Sequence, residues 1–109
     1  MDIKERHIVM LQLSNGKAPF ESWYNNLDLI LQRAIDARIT RLAVGNFGDH
    51  KSVGGGVFEL RISKGPGLRI YYGLNGNELI VLVGGGDKGT QKCDIEKAKK
   101  LWRNWTDES

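Results

Sequence analysis

One stretch of the chain, residues 57–91, limits the possible folds most strongly. Its first segment, Val57–Ser63, alternates apolar side chains with Glu59, Arg61 and a serine. A two-residue period of this kind predicts a half-buried β-strand rather than a helix. After a Gly-Pro-Gly turn, Leu68–Leu74 alternates in the same way. The pattern therefore predicts a hairpin that carries charged side chains on one open face.

A third strand is predicted over Glu78–Val83, because an Asn-Gly pair at residues 75 and 76 is a strong hairpin signal. Arg61, Arg69 and Tyr71 fall on the same face of the predicted hairpin. Guanidinium groups bind phosphate oxygens through two directed hydrogen bonds. Such a face suits a polyanion, and a phosphodiester in particular.

Two helices are predicted after a first strand at His7–Leu13. A proline opens the first helix, which covers residues 20–26. Asp28 is suited to cap the second helix, which runs to about Val44. Apolar residues recur within this helix at helical spacing, as expected for a helix that packs one side against a core.

Five of the twelve residues in Gly45–Gly56 are glycine, and this segment is predicted to be a loop. Glycines 84–86 are expected to let the chain turn sharply at the end of the third strand. A last helix begins at a cap provided by Thr90 or Asp94 and reaches about Trp105. This order predicts an α+β domain with a small, twisted, mainly antiparallel sheet, an N-terminal helical hairpin and a C-terminal helix. Residues 1–109 are expected to form a single domain.

Composition excludes several classes of protein. Charged residues make up 27% of the chain, and no apolar run approaches the roughly 20 residues that cross a bilayer, so no membrane association is expected. Cys93 is the single cysteine and there are only two histidines, so neither an intrachain disulfide nor a metal site is expected. The first residues lack the pattern of a secretory signal, and the cytoplasm is the expected compartment.

The formal net charge of +3 is unevenly distributed. Residues 51–92 carry six Lys or Arg against three Asp or Glu, whereas the segments on either side are each neutral. This excess favours a surface that faces nucleic acid. A chance grouping of surface lysines would give the same count.

The order and spacing of these motifs resemble those of the RelE/ParE superfamily of bacterial toxins. The resemblance is closest to the HigB-like branch, also called addiction module killer proteins, of type II toxin–antitoxin systems. The motifs that carry it are Phe58-Glu59-Leu60-Arg61-Ile62, Gly65-Pro66-Gly67-Leu68-Arg69-Ile70-Tyr71-Tyr72, Gly85-Gly86-Asp87-Lys88-Gly89-Thr90-Gln91, and Asp94-Ile95 with Ala98. The resemblance implies a RelE-like fold, a bacterial cytoplasmic location and an oligomer formed with a cognate antitoxin, which is usually a small helix-turn-helix protein.

The resemblance also implies an enzyme that cleaves mRNA on the ribosome. No metal or other cofactor is needed, because the ribose 2′-OH attacks the adjacent phosphorus. Arg61 and Arg69 occupy positions expected to stabilise the phosphate charge, and Lys88 is a candidate to protonate the leaving oxygen. Glu59 would either accept the 2′-OH proton or hold an arginine in place. The second role is favoured, because a carboxylate paired with arginine is a weaker base.

The expected RNA contacts are Lys51, Tyr71, Gln91 and Lys92, with Gln91 equally suited to helix capping. The catalytic tyrosine or histidine that other branches carry near the C-terminus has no clear match. Two alternatives therefore stay open. One is a ParE-like toxin that inhibits DNA gyrase by binding without nuclease activity, and the other is a degenerate relative that only binds an antitoxin.

Overall fold

The computed structural model describes residues 6–76 and 79–107, and it confirms the predicted α+β class. Three helices accompany one sheet of five strands. The strands are β1 (His7–Met10), β2 (His50–Gly54), β3 (Val57–Ile62), β4 (Leu68–Asn75) and β5 (Leu79–Asp87), and the helices are α1 (Pro19–Asn25), α2 (Leu29–Ala43) and α3 (Gln91–Asp107). The order in the sheet is β1-β5-β4-β3-β2, and every neighbouring pair is antiparallel except β1 and β5.

Both faces of the sheet are covered. Phe20 of α1 and Ile35 of α2 belong to an apolar cluster on one face, together with alternate residues of β3, β4 and β5. Ala98 and Trp102 of α3 belong to a second cluster, on the opposite face. The prediction of a half-buried β3 is therefore wrong. Its supposedly open side is covered by α3, and Glu59 is completely buried.

The two N-terminal helices begin where the sequence predicts. Pro19 is the first residue of α1, and the side chain of Asp28 accepts a hydrogen bond of 2.9 Å from the backbone N–H of Leu31. Both signals are local, because a proline fixes its own φ and a capping carboxylate satisfies a nearby N–H group. The first strand is shorter than predicted and ends at Met10.

The segment predicted to be a loop contains β2, which is a correction. His50–Gly54 pairs with β3, Gly55 and Gly56 form the connecting turn, and Gly54, Gly55 and Gly56 have φ values of 92°, 64° and 83°. Positive φ is readily accessible only to glycine, so these glycines mark a hairpin rather than an extended loop. The strand itself lies at the edge of the sheet, and its exposed polar residues give no apolar alternation.

Glycines 84–86 do not end β5, which is a second correction. The strand continues to Asp87, while the predicted start at Glu78 lies outside the described residues. A Cβ on Gly85 would overlap the indole of Trp23, and a Cβ on Gly86 would overlap the carboxylate of Asp94. Gly85 and Gly86 leave room for the two helices that approach the strand closely.

Thr90 takes part in a capping box at the 3₁₀ turn that precedes the last helix, but the N-cap of that turn is Asp87. Its Oδ1 accepts hydrogen bonds from the backbone N–H groups of Gly89 at 2.8 Å and Thr90 at 3.1 Å. These bonds start a 3₁₀ turn, Lys88–Thr90, that leads directly into α3. The helix reaches Asp107, two residues beyond the predicted end.

Candidate phosphate-binding site

The pairing of three strands brings the candidate residues onto one face of the sheet. Arg61 of β3 lies directly opposite Arg69 of β4, and Glu59 lies opposite both Tyr71 of β4 and Lys51 of β2. Side chains of directly opposed residues in an antiparallel pair project from the same face. Because Tyr71 belongs to the α3 cluster, this is the face that α3 covers.

Glu59 is at the centre of the group. Its Oε2 accepts a hydrogen bond of 3.1 Å from the Tyr71 hydroxyl. The Gln91 side-chain amide donates to both carboxylate oxygens, at 3.1 Å to Oε1 and 2.9 Å to Oε2. Gln91 is the first residue of α3, so these bonds connect the start of that helix to the middle of β3.

The two arginines interact with Glu59 by charge rather than by hydrogen bonds. Arg61 Nε lies 3.7 Å from Glu59 Oε1, and Arg69 Nε lies 4.0 Å from Oε2. Both Nε atoms are buried without a hydrogen-bond partner, and neither guanidinium donates to another described residue. The side chains are 36% and 11% exposed, respectively. Two guanidinium groups therefore share one buried anion and retain donors for an external acceptor.

Tyr71 does not provide the exposed RNA contact that the strand pattern predicted. Its side chain is fully buried, because α3 and the neighbouring strands surround it. Burial raises the pKa of the Tyr71 hydroxyl above its ordinary value, and the charge and hydrogen bond of Glu59 raise it further. The hydroxyl is therefore protonated at neutral pH and acts as a fixed donor to Glu59.

Three lysines lie on exposed positions around this group. Lys51 occupies the edge strand opposite Glu59, and Lys92 follows Gln91 in the first turn of α3. Lys88 begins the 3₁₀ turn after β5. A Cβ on Gly67 would lie 3.4 Å from the Lys88 Cβ, so Lys88 adjoins the turn that precedes Arg69.

Sequence reasoning missed Asp49, which contacts the site from the segment before β2. Its backbone oxygen accepts a hydrogen bond of 2.9 Å from the backbone N–H of Arg61, and its side-chain Oδ1 lies 3.9 Å from Arg61 Nε. No local pattern marks this residue, since the contact depends on the β2–β3 pairing. His50, the next residue, faces the other side of the sheet, with its ring centroid 5.2 Å from that of Phe47.

Residues 6–76 and 79–107 contain neither a candidate metal site nor a candidate membrane span. No group of three or more His, Cys, Asp or Glu side chains there could hold a metal ion. No helix within those ranges is long and apolar enough to cross a membrane.

Known proteins resemble the chain over most of its length. Residues 22–103 match the model of the family described as Phage derived protein Gp49-like (DUF891). An "uncharacterized protein" of Haemophilus influenzae is 51% identical over 83 residues, which cover 75% of this chain and 84% of the relative. The Gp49-like family is associated with toxin–antitoxin modules. The chain belongs to the phage-derived Gp49-like family.

Proposed function

We propose that this protein is the toxin of a type II toxin–antitoxin module, in the HigB-like branch of the RelE/ParE superfamily. It acts as a ribosome-dependent endoribonuclease that cleaves mRNA and arrests translation. Residues 1–109 make up one toxin domain, and a cognate antitoxin neutralises it. The family match supports the toxin role, and the resemblance of the β3–β5 motifs supports the superfamily.

The observation that carries the nuclease proposal is the pairing of Arg61 with Arg69. The two residues are direct partners across β3 and β4, and neither guanidinium has a hydrogen-bond acceptor among the described residues. Two planar cations held by rigid strands match the charge of a phosphodiester in its transition state. Preorganised donors of this kind stabilise developing charge most effectively where water is partly excluded.

The proposed reaction needs no metal. The ribose 2′-oxygen attacks the adjacent phosphorus, the bond from phosphorus to the 5′-oxygen breaks, and the 2′-OH proton passes to solvent. Arg61 and Arg69 stabilise the charge on the phosphate oxygens, and the exposed Lys88 protonates the 5′-oxygen as it leaves. Glu59 is not assigned as the base, because its buried carboxylate already accepts bonds from two side chains.

Lys51 and Lys92 are proposed to contact the RNA backbone beside the scissile phosphate. Both are exposed, Lys51 opposite Glu59 on β2 and Lys92 next to Gln91 at the start of α3, and lysine attracts phosphate without reading sequence. The ribosome would order the mRNA over the site, which compensates for a small set of catalytic groups.

A second candidate function is inhibition of DNA gyrase by binding, as in the ParE branch. One observation favours it: within the described part of the chain, no histidine or free tyrosine hydroxyl lies beside the arginine pair. The Tyr71 hydroxyl is bonded to Glu59, and His50 packs on the opposite face. A toxin that acts by binding alone would need neither group.

Brief induction in bacteria, followed by mapping of new RNA 5′ ends, separates these functions. We expect cuts at codon-phased positions within translated frames. Arg69→Ala should reduce them about 100-fold, as for loss of a group that stabilises transition-state charge. Arg33→Ala, on an exposed part of α2, is the matched control and should cleave normally. Growth arrest without such cuts, accompanied by a DNA-damage response, would refute the nuclease and support gyrase inhibition.

A further inference from the structure

We infer that Tyr71 and Gln91 are positioning residues that act through Glu59 on the two arginines. They hold the buried carboxylate in place, and the carboxylate holds Arg61 and Arg69 facing the substrate phosphate. The inference rests on the proposed function for its catalytic consequence. It assigns Tyr71 and Gln91 to the support of the site rather than to direct contact with RNA.

The arginine pair needs a buried anion between its members. Arg61 and Arg69 are direct cross-strand partners, and like charges in this position repel each other. Glu59 Oε1 and Oε2 lie 3.7 Å and 4.0 Å from the respective Nε atoms. Glu59 is therefore the buried carboxylate that the two cations share, while Asp49, 65% exposed, lies 3.9 Å from Arg61 Nε alone.

The carboxylate needs its own support, because a buried charge is costly unless it is hydrogen-bonded. Tyr71 and Gln91 supply all the hydrogen bonds that Glu59 accepts among the described residues. Neither arginine supplies one, since both Nε distances exceed hydrogen-bond length. Without Tyr71 or Gln91, the carboxylate would rotate toward an arginine and take up its free donors.

Rotation of the Glu59 carboxylate would change the hydrogen-bond donors that the two arginines offer to phosphate. A guanidinium bonded directly to Glu59 has fewer donors for phosphate, and its partner arginine loses the shared anion. A displacement of about 1 Å at a catalytic group can reduce a rate about 100-fold. Removal of either supporting donor should therefore impair cleavage even though neither residue touches RNA.

The first test measures how well ordered the Arg61 and Arg69 side chains are. Signals from arginine Nε–H groups in NMR spectra report the order of each side chain, whether or not the protein cleaves RNA. Wild type should give separate, ordered signals for Arg61 and Arg69, and Tyr71→Phe or Gln91→Leu should broaden or average them. Retention of both ordered signals in these variants would overturn the inference.

Two matched controls remove the same kinds of donor elsewhere. Tyr24→Phe deletes a hydroxyl that donates to the Asp36 carboxylate at 2.7 Å. Gln32→Leu deletes an amide that donates to the Tyr24 backbone oxygen at 2.9 Å. Both controls should leave the Arg61 and Arg69 signals unchanged. Equal loss of order in the controls would mean that the effect is general loosening, and it would also overturn the inference.

The second test is a double-mutant cycle in single-turnover cleavage of ribosome-bound mRNA. Gln91→Leu and Glu59→Gln should each slow cleavage between about 10- and 100-fold. The double variant should be no slower than Glu59→Gln alone, because Gln91 acts only through that carboxylate. Multiplied losses would show that Gln91 acts independently, and would overturn the inference. A wild-type protein that cleaves nothing would refute the proposed function, and the NMR comparison would still decide the positioning role.

Discussion

Glu59 shows how much the surroundings of one residue decide its role. The alternation of β3 correctly predicts that Glu59 and Arg61 share a face of the strand, because that relation depends only on local geometry. The same alternation predicts an open face, and this is wrong. The helix that covers this face is α3, and its first residue, Gln91, bonds to Glu59 from 32 positions further along the sequence. Alternation within a strand carries no information about such coverage.

The glycines of β5 allow a test of close packing at single positions. Gly85→Ala should destabilise the protein by about 1–3 kcal/mol, because its Cβ would overlap the Trp23 indole and force the ring to move. Neighbouring Gly84 has nothing within 4 Å of an added Cβ, and its φ is not positive. Gly84→Ala should therefore be neutral or stabilise the fold by about 0.4–1 kcal/mol.

The free energy of unfolding in urea measures this difference between two adjacent positions. Equal effects of Gly84→Ala and Gly85→Ala would contradict the packing explanation. They would also remove the physical reason for glycine at position 85.

At the scale of elements, the start of α3 supports both the fold and the site. The Asp87 side chain caps the 3₁₀ turn, and Gln91 begins the helix four residues later. Asp87→Ala should cost about 0.5–2 kcal/mol of stability. It should also loosen the Gln91 bonds to Glu59 and slow cleavage, because fraying begins at the uncapped turn.

Asp28→Ala is the matched control, since Asp28 caps α2 with a similar carboxylate bond and lies outside the site. We expect a similar loss of stability, measured by urea unfolding, with unchanged cleavage by the folded protein. Equal losses of cleavage in the two variants would show that the cap of the 3₁₀ turn before α3 has no special relation to the site.

The elements differ in how well they could be predicted, for physical reasons. The starts of α1 and α2 depend on a proline and an aspartate that act within one helical turn, so both starts could be predicted from the local sequence. Strand β2 was missed because it forms at the sheet edge, where Lys51 and Ser52 stay exposed. The run Gly54–Gly56 was the available signal, since its positive φ values belong to a hairpin turn.

At the scale of the molecule, Tyr71 and Tyr72 are adjacent in the sequence but lie in the two different apolar clusters. Tyr71 packs in the α3 cluster and Tyr72 in the cluster of α1 and α2, and both are completely buried. Burial raises the pKa of Tyr72 to about 12, although the charges of Arg38 and Arg6 oppose the shift. Burial and the nearby Glu59 charge raise the pKa of Tyr71 even further. The folded protein therefore keeps both phenols protonated above the pH at which the unfolded chain releases their protons.

Because the pKa values of both tyrosines are raised in the folded protein, the free energy of unfolding decreases as the pH rises above about 10. An unfolded tyrosine has a pKa of about 10, so the stabilisation from each buried phenol is complete below that pH. It declines as the pH rises from about 10 toward 12, by up to about 1.4 kcal/mol per pH unit for each tyrosine. Urea unfolding at several pH values in this window should give a smaller slope for Tyr72→Phe than for wild type. Lysine titration contributes equally to both proteins and cancels in the comparison. Identical slopes would mean that Tyr72 ionises as readily in the folded protein as in the unfolded chain, which contradicts its place in the core.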